Sequence, residues 1–357
     1  MARGVRRSSG PLDARAQAIL RAVIDEYVTT AAPVGSQTLV ERYPFGVSAA
    51  TVRNVLAELE LEGFLGHPHT SAGRVPTDVG YRFYVESLVG EMPLPPIEQL
   101  MIRHQFGQVE FATDQWFRLA ATTVAAATHA AGIATAAKPR AARIRRVELV
   151  RIGDRMASLI VVLNEGSVKQ ALLAIDPATA DAELDEAAAR LNRSCDGLTA
   201  ADLVERLRWF EDAPADDPVF TLVRRAGDRA LHILRDFDAT LVEQLFSDGL
   251  LHVMAEPEFA ASEKLRRVFA ALENRQYLGE LIEDVTRAGD LRVYIGRENR
   301  AAEMADVALV LAPYGRPGAA VGVVGVLGPT RMAYPQAIGT VRFVSGLMNE
   351  LVAHIHA

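Results

Sequence analysis

Residues 46–63 read GVSAATVRNVLAELELEG. Ser48 is a good N-cap, because its hydroxyl accepts a bond from an amide left unpaired in the first helical turn. Val52, Val55, Leu56 and Leu59 recur at i, i+3, i+4 and i+7, which is one apolar stripe of a helix. Gly63 supplies a left-handed stop. The opposite face of the first two turns carries Ala49, Ala50, Arg53 and Asn54. Small residues let a backbone come close to a DNA groove. Arg pairs with two acceptors of guanine, and Asn with N6 and N7 of adenine. Glu58, Glu60 and Glu62 crowd the far end, where phosphates are unwelcome. The helix is thus polarised, with a leading half suited to DNA and a trailing half that is not. An ordinary amphipathic surface helix with one Arg and one Asn has the same pattern, and on this stretch alone the two readings stand level.

The flanking sequence favours the first. A helix is expected from Asp13 to about Val28, broken by Pro33, and a short helix capped by Ser36 from Gln37 to Tyr43. Pro44 to Val47 make the turn into the quoted stretch. After Gly63, Phe64-Leu65 reads as a short strand, GHPHTSAGR as a loop and Val75-Pro76 as a return strand. Three helices, strand, loop and strand make a winged helix-turn-helix. The candidate DNA contacts are Gln37 for a phosphate, Ser48, Ala49, Ala50 and Thr51 for close approach, Arg53 and Asn54 for bases, and Thr70, Ser71 and Arg74 from the wing. Arg74 reads equally as a surface residue paired with Asp78. Arg3, Arg6 and Arg7 form a solvated end or a loose phosphate arm. His67 and His69 lack a third neighbour, so no metal is expected.

Residues 1–92 hold nine Arg, no Lys and ten Asp/Glu. Binding must then depend on where the charges lie, and a moderate salt dependence follows. The whole chain has 357 residues and a formal charge of −7, with 50% hydrophobic and 23% charged residues. These values fit a protein of two or three globular domains. One cysteine, Cys195, precludes an intramolecular disulfide and suits a reducing cytoplasm. No apolar run is long enough for a membrane span, and none follows the basic start as a secretory signal requires. No nucleophile–base pair, metal cluster or phosphate loop appears, and His129, His232, His252 and His354 are scattered. No catalytic residue, metal or cofactor is therefore expected, and the chain does not read as an enzyme.

EMPLPP at 91–96 is a proline-rich linker. Ile97 to about Ala131 reads as one long helix. Lys138 to Arg155 holds seven Lys/Arg, either the solvated face of strands or a second DNA-facing patch. Strands are expected to about Ile175, and acidic helices at Asp181–Leu191, Ala200–Phe210 and Val219–Phe246. Their apolar faces need a partner. Strands resume at Leu291–Ile295, Val307–Ala312 and Ala320–Leu327, before a closing helix, and strands on both sides of the helices are expected to share one sheet. The glycines at 322, 325 and 328 allow close approach of backbone or ligand.

SAATVRNVLAELELEGFLGHPHTSAGRVPTDVGYRFYVESL resembles the N-terminal block of the HrcA heat-inducible transcription repressors of bacteria. GVLGPTRMAY at Gly325 to Tyr334 resembles the family's C-terminal signature, and AEPEF at Ala255 to Phe259 a weaker third block. The resemblance implies a GAF-like domain interrupted by a helical dimerisation insert. It also implies an inverted-repeat operator, CIRCE, upstream of chaperone operons, release on heat shock, and the chaperonin GroEL as a partner that maintains the repressor. The expected architecture is multidomain α+β: a winged helix-turn-helix at 1–92, a linker at 93–100, a GAF-like domain at 101–176 and 247–357, and the insert at 177–246. Trp209, Phe210 and Phe220 are candidates for the centre of the dimer interface, because aromatics anchor such patches. The expected function is a dimeric DNA-binding repressor. A regulator whose GAF-like domain binds a small molecule is the alternative.

Overall fold

A computed structural model describes residues 12–68, 73–90, 92–109, 113–139, 141–164, 166–211, 217–239, 245–259, 262–315 and 320–355. In chain order the first elements are α1 (Ala14–Thr30), α2 (Ser36–Arg42), α3 (Ala49–Leu61), β1 (Leu65–Gly66), β2 (Val75–Pro76) and α4 (Asp78–Phe83), which runs into a π turn at Tyr84–Leu88. Then come α5 (Pro96–Gln108), α6 (Thr113–Thr128), β3 (Ala131–Thr135), β4 (Lys138–Pro139), β5 (Ile144–Gly153), β6 (Met156–Leu163) and β7 (Val168–Ala174). They are followed by α7 (Asp181–Cys195), α8 (Ala200–Glu211), α9 (Pro218–Ala239), β8 (Leu245–Asp248) and α10 (Leu250–Met254). The last are α11 (Ser262–Glu273), α12 (Arg275–Ala288), β9 (Arg292–Ile295), β10 (Val307–Gly315), β11 (Ala320–Pro329) and α13 (Tyr334–Ile355). Arg3, Arg6, Arg7, His69, Thr70 and Ser71 lie outside the described residues.

The chain forms two compact units. The first comprises residues 1–136, 244–314 and 322–351. It contains the N-terminal helices and a sheet in the order β8-β3-β11-β10-β9. β3 pairs antiparallel with β8 and β11, with Ala134 opposite Phe246 and Val324, and β9 runs antiparallel to β10. Val307 to Ala312 and Gly322 to Pro329 are buried at every position. Continuous burial means that both faces of these strands are covered, so neither shows the alternation of a half-solvated strand. α6 packs on β3 so closely that a Cβ on Gly132 would lie 1.9 Å from the carbonyl oxygen of Ala121.

The second unit comprises residues 137–243, 315–321 and 352–357. Its antiparallel sheet β5-β6-β7 has its own core. Val147, Leu149, Leu159, Val161, Leu163 and Leu173 point to one face, which α7 and α9 cover, with α8 packed on both helices. Leu184, Leu191, Leu203, Leu207, Leu222 and Leu234 complete that core. β6 alternates half-buried and buried along its length. β4 pairs with the first residues of β11.

Four expectations change. Of the strands before the acidic helices, β3 and β4 share a sheet with strands that follow them, whereas β5–β7 pair among themselves, in the compact unit that begins at residue 137. The apolar faces of the helices find their partner in that same sheet. The long helix from 97 is two helices followed by β3, and the last acidic helix ends at Ala239, with Leu245 and Phe246 in β8. Ser36 is the first residue of α2, and Gly35 is its N-cap. Which strands pair with which is decided by segments that meet in space, and local periodicity does not encode it.

Candidate nucleic-acid interface

α1, α2 and α3 pack on one another, and β1 and β2 follow as a two-stranded antiparallel ladder with Leu65 opposite Pro76 and Gly66 opposite Val75. Asp13 caps α1 by accepting from the Ala16 amide at 2.7 Å. Ile19, Leu20, Val23 and Ile24 of α1, Leu39 of α2, and Val52, Leu56 and Leu59 of α3 form the shared core. Ser48 caps α3 as expected, its Oγ accepting from the Thr51 amide at 3.2 Å. Gly63 takes φ +85°, the left-handed conformation that ends the helix.

The face of α3 away from this core is open. Ala50, Arg53 and Asn54 are exposed, and Ala49 and Thr51 are half-buried. The side chains of Arg53 and Asn54 have no hydrogen-bond or ion-pair partner among the described residues. They follow directly on the first turn of the helix, whose free backbone amides and dipole favour anions. Of the acids at the far end, Glu58 is exposed and Glu60 pairs with Arg74. Gln37 is exposed on α2 and donates to Glu41 at 2.7 Å.

Arg74 does not pair with Asp78. It pairs with Glu60 at 2.7 Å and lies 2.5 Å from Nε2 of His67. Asp78 instead accepts from the Arg297 amide. The backbone of Arg74 exchanges two 2.8 Å hydrogen bonds with Val34. Gly73 comes so near Val34 that an added Cβ would lie 2.5 Å from its carbonyl. Arg74 thus ties the ladder to the trailing end of α3 and to the segment between α1 and α2. His67 belongs to this ion-pair cluster, and no group of three or more metal-ligating side chains occurs among the described residues.

Behind α3, Arg42 reaches the buried Glu26 at 2.6 Å. The hydroxyl of Tyr84 donates to Asp25 at 2.5 Å. Burial and that hydrogen bond push the Tyr84 phenol above its usual pKa, so it remains a donor. Local spacing found the exposed residues of α3. It missed Asp78, Arg82, Glu256, Glu258 and Arg331, which join the N-terminal helices to the sheet domain. Their only signal was membership of the quoted blocks.

Elsewhere the glycine-rich strand and Phe220 are engaged by neighbouring residues. A Cβ on Gly322 would meet the ring of Tyr314 at 2.4 Å, and one on Gly325 the carbonyl oxygen of Val310 at 2.3 Å. The glycine-rich strand therefore admits its own neighbours. Phe220 is half-buried beneath the guanidinium of Arg190, which lies 4.6 Å from the ring centroid. Trp209 and Phe210 fall in α8, and their side chains lie outside the described residues.

Comparison with known proteins decides the family. Residues 114–338 match the family model described as HrcA protein C terminal domain. The chain belongs to the HrcA family. It is 42% identical over 360 residues to the heat-inducible transcription repressor HrcA of Chloroflexus aurantiacus, covering 98% of this chain and 96% of the relative. The HrcA of Roseiflexus castenholzii is 40% identical over 96% of this chain and 95% of its own length. That of Dehalococcoides mccartyi is 32% identical over 97% of both. HrcA relatives are transcription repressors of a heat-inducible stress response, not enzymes. A crystal structure of a protein described as hypothetical is similar with a TM-score of 0.59 at 20% identity, over 97% of this chain and 100% of that one. The mixed α+β architecture, with its sheet-containing domain, is consistent with the GAF-like fold expected for HrcA. No helix among the described residues is long and apolar enough to cross a membrane.

Proposed function

We propose that the chain is a DNA-binding repressor of heat-shock operons whose N-terminal part is a winged helix-turn-helix, with α3 as the recognition helix. The observation that carries this reading is the exposed, unpartnered pair Arg53 and Asn54 on the leading half of a helix capped by Ser48. Arg53 and Asn54 read base edges, while Ala49, Ala50 and Thr51 allow close approach. Gln37 lies where a phosphate contact replaces its bond to Glu41. Arg74 serves the interface by holding the ladder in place.

Two copies reading an inverted repeat need a two-fold assembly. The uncovered face of β5–β7 is suited to a second copy. Val150, Ile152, Val168 and Leu172 are 47%, 57%, 56% and 58% exposed there. A solvated antiparallel sheet ordinarily carries polar residues on such a face. The operator is CIRCE, and GroEL restores a repressor that heat depletes, because a marginally stable fold loses population steeply on mild heating.

The test is a fluorescence-anisotropy titration of the full chain on inverted-repeat duplexes from chaperone promoters. Arg53→Ala is expected to lose about 1–3 kcal/mol and to relax preference at one base pair. Unchanged affinity would mean that α3 is not the reading helix. Operator occupancy followed against temperature, with and without chaperonin, tests release. A second reading, control by a small molecule, draws on a cleft of about 830 Å³ lined by Arg82, Glu86, Arg292, Glu298 and Arg342. A thermal-shift screen against metabolites checks it.

A further inference from the structure

Two clusters of charge join the N-terminal helices to the sheet domain of the first unit. The first centres on Arg331, in the turn after β11, whose side chain is 10% exposed. Its Nε donates to Glu258 at 2.6 Å, and a terminal nitrogen pairs with Glu256. Its other terminal nitrogen donates at 3.2 Å to the carbonyl oxygen of Val28. That carbonyl lies in the last turn of α1, where helix oxygens lack amide partners and the dipole favours a cation. One guanidinium therefore binds the AEPEF block, the GPTRMAY block and the end of α1.

The second cluster is at α4. Arg82 donates through Nε to Glu298 at 2.9 Å, makes a second bond to the same carboxylate, and donates to the Val293 carbonyl at 2.6 Å. Asp78 accepts from the Arg297 amide at 3.0 Å. Gly296 takes φ +53°, and an added Cβ there would lie 2.4 Å from the Asp78 carboxylate. The buried Asn299 holds this turn by donating to the carbonyls of Gly296, Met304 and Val307 at 2.8, 3.1 and 3.1 Å. Between the clusters the rings of Tyr81 and Tyr334 meet at 5.8 Å.

A single contact would leave the N-terminal helices free to pivot. Two contacts, on α1 and on α4, remove that freedom, and α3 is packed on α1. Buried ion pairs contribute little net stability, but they demand one geometry. We infer that Arg331 and Arg82 are positioning residues for operator recognition: together they fix the direction in which α3 is presented, and so the half-site separation that a two-copy assembly accepts. This rests on the reading of α3 as the recognition helix, and it adds a role for residues that touch no DNA.

The experiment measures affinity of the full chain for inverted-repeat duplexes whose half-site separation is stepped one base pair at a time, and for a duplex with one half-site. The wild-type chain is expected to show an optimum, with affinity about tenfold lower half a helical turn away. Arg331→Gln and Arg82→Gln each flatten the optimum by about tenfold, while single-half-site affinity changes by less than about twofold. Arg331→Lys, which keeps the charge but not the three-way geometry, recovers part of the optimum. Arg82 is half-buried and less enclosed than Arg331, so its variant carries the test if Arg331→Gln does not fold. An unchanged optimum in Arg82→Gln overturns the inference, and so does a parallel fall on the single half-site, which would mark a merely structural role. A wild-type chain that binds no inverted repeat removes the recognition-helix reading itself, and the inference with it.

Discussion

The two larger sheets of this molecule, both rich in aliphatic residues, differ in what covers them. β10 and β11 are buried from Val307 to Ala312 and from Gly322 to Pro329. β5–β7 bury one face under α7 and α9 and leave the other with exposed apolar side chains. Along these runs β10 and β11 have both faces covered. The half-covered sheet carries more exposed apolar surface than a solvated face needs. Burial alone separates the two, and the proposed assembly face is the half-covered one.

Substitutions can break this comparison. The largest effect is expected at Gly132, where a side chain meets backbone of α6. Gly132→Val should lower the stability of the first unit by more than about 3 kcal/mol, read as an early unfolding transition in urea. A fall below about 1 kcal/mol would mean that α6 does not press on β3.

Neighbouring residues give the sharpest contrast. In β7, Leu173 is 5% exposed and Leu172 is 58% exposed. Leu173→Ala should cost about 2–5 kcal/mol and Leu172→Ala less than about 0.5 kcal/mol. In β10, Leu309 and Val310 are both fully buried, so Leu309→Ala should cost about 2–5 kcal/mol and Val310→Ala about 2 kcal/mol. Denaturant titrations of the four variants at low protein concentration check this. Equal costs at Leu172 and Leu173 would remove the distinction between the sheets.

Assembly comes next. Val168→Gln combined with Leu172→Gln should weaken self-association by about tenfold or more in analytical ultracentrifugation, while the unfolding midpoint at low concentration hardly moves. The smallest effect concerns Cys195, fully buried in the core of the second unit, where burial pushes its thiol up to about 11. Native protein at pH 8 should resist iodoacetamide, and labelling followed by mass spectrometry should begin only when that unit opens on heating. Rapid labelling at 25 °C would contradict a closed core.

The sequence was informative wherever a property is set within a few turns of chain. Ser48 caps α3, Gly63 ends it, and the i, i+3, i+4, i+7 stripe buries Val52, Leu56 and Leu59 while leaving Arg53 and Asn54 outside. The pairing of Arg74 was not legible, since its partner Glu60 lies fourteen residues earlier on another element. The stacking of Arg190 over Phe220 joins residues thirty positions apart and was not legible either.

By itself, the amino-acid order determined the helices, their ends, the family and the exposed face of α3, because backbone propensity, capping and side-chain periodicity act over a few residues. Only the tertiary structure decided that β5–β7 close on their own helices, and that Arg331 gathers Glu256, Glu258 and the end of α1. Strand pairing and buried ion pairs join segments tens to hundreds of residues apart. Their free energy depends on desolvation and shape at the contact, which no local pattern carries.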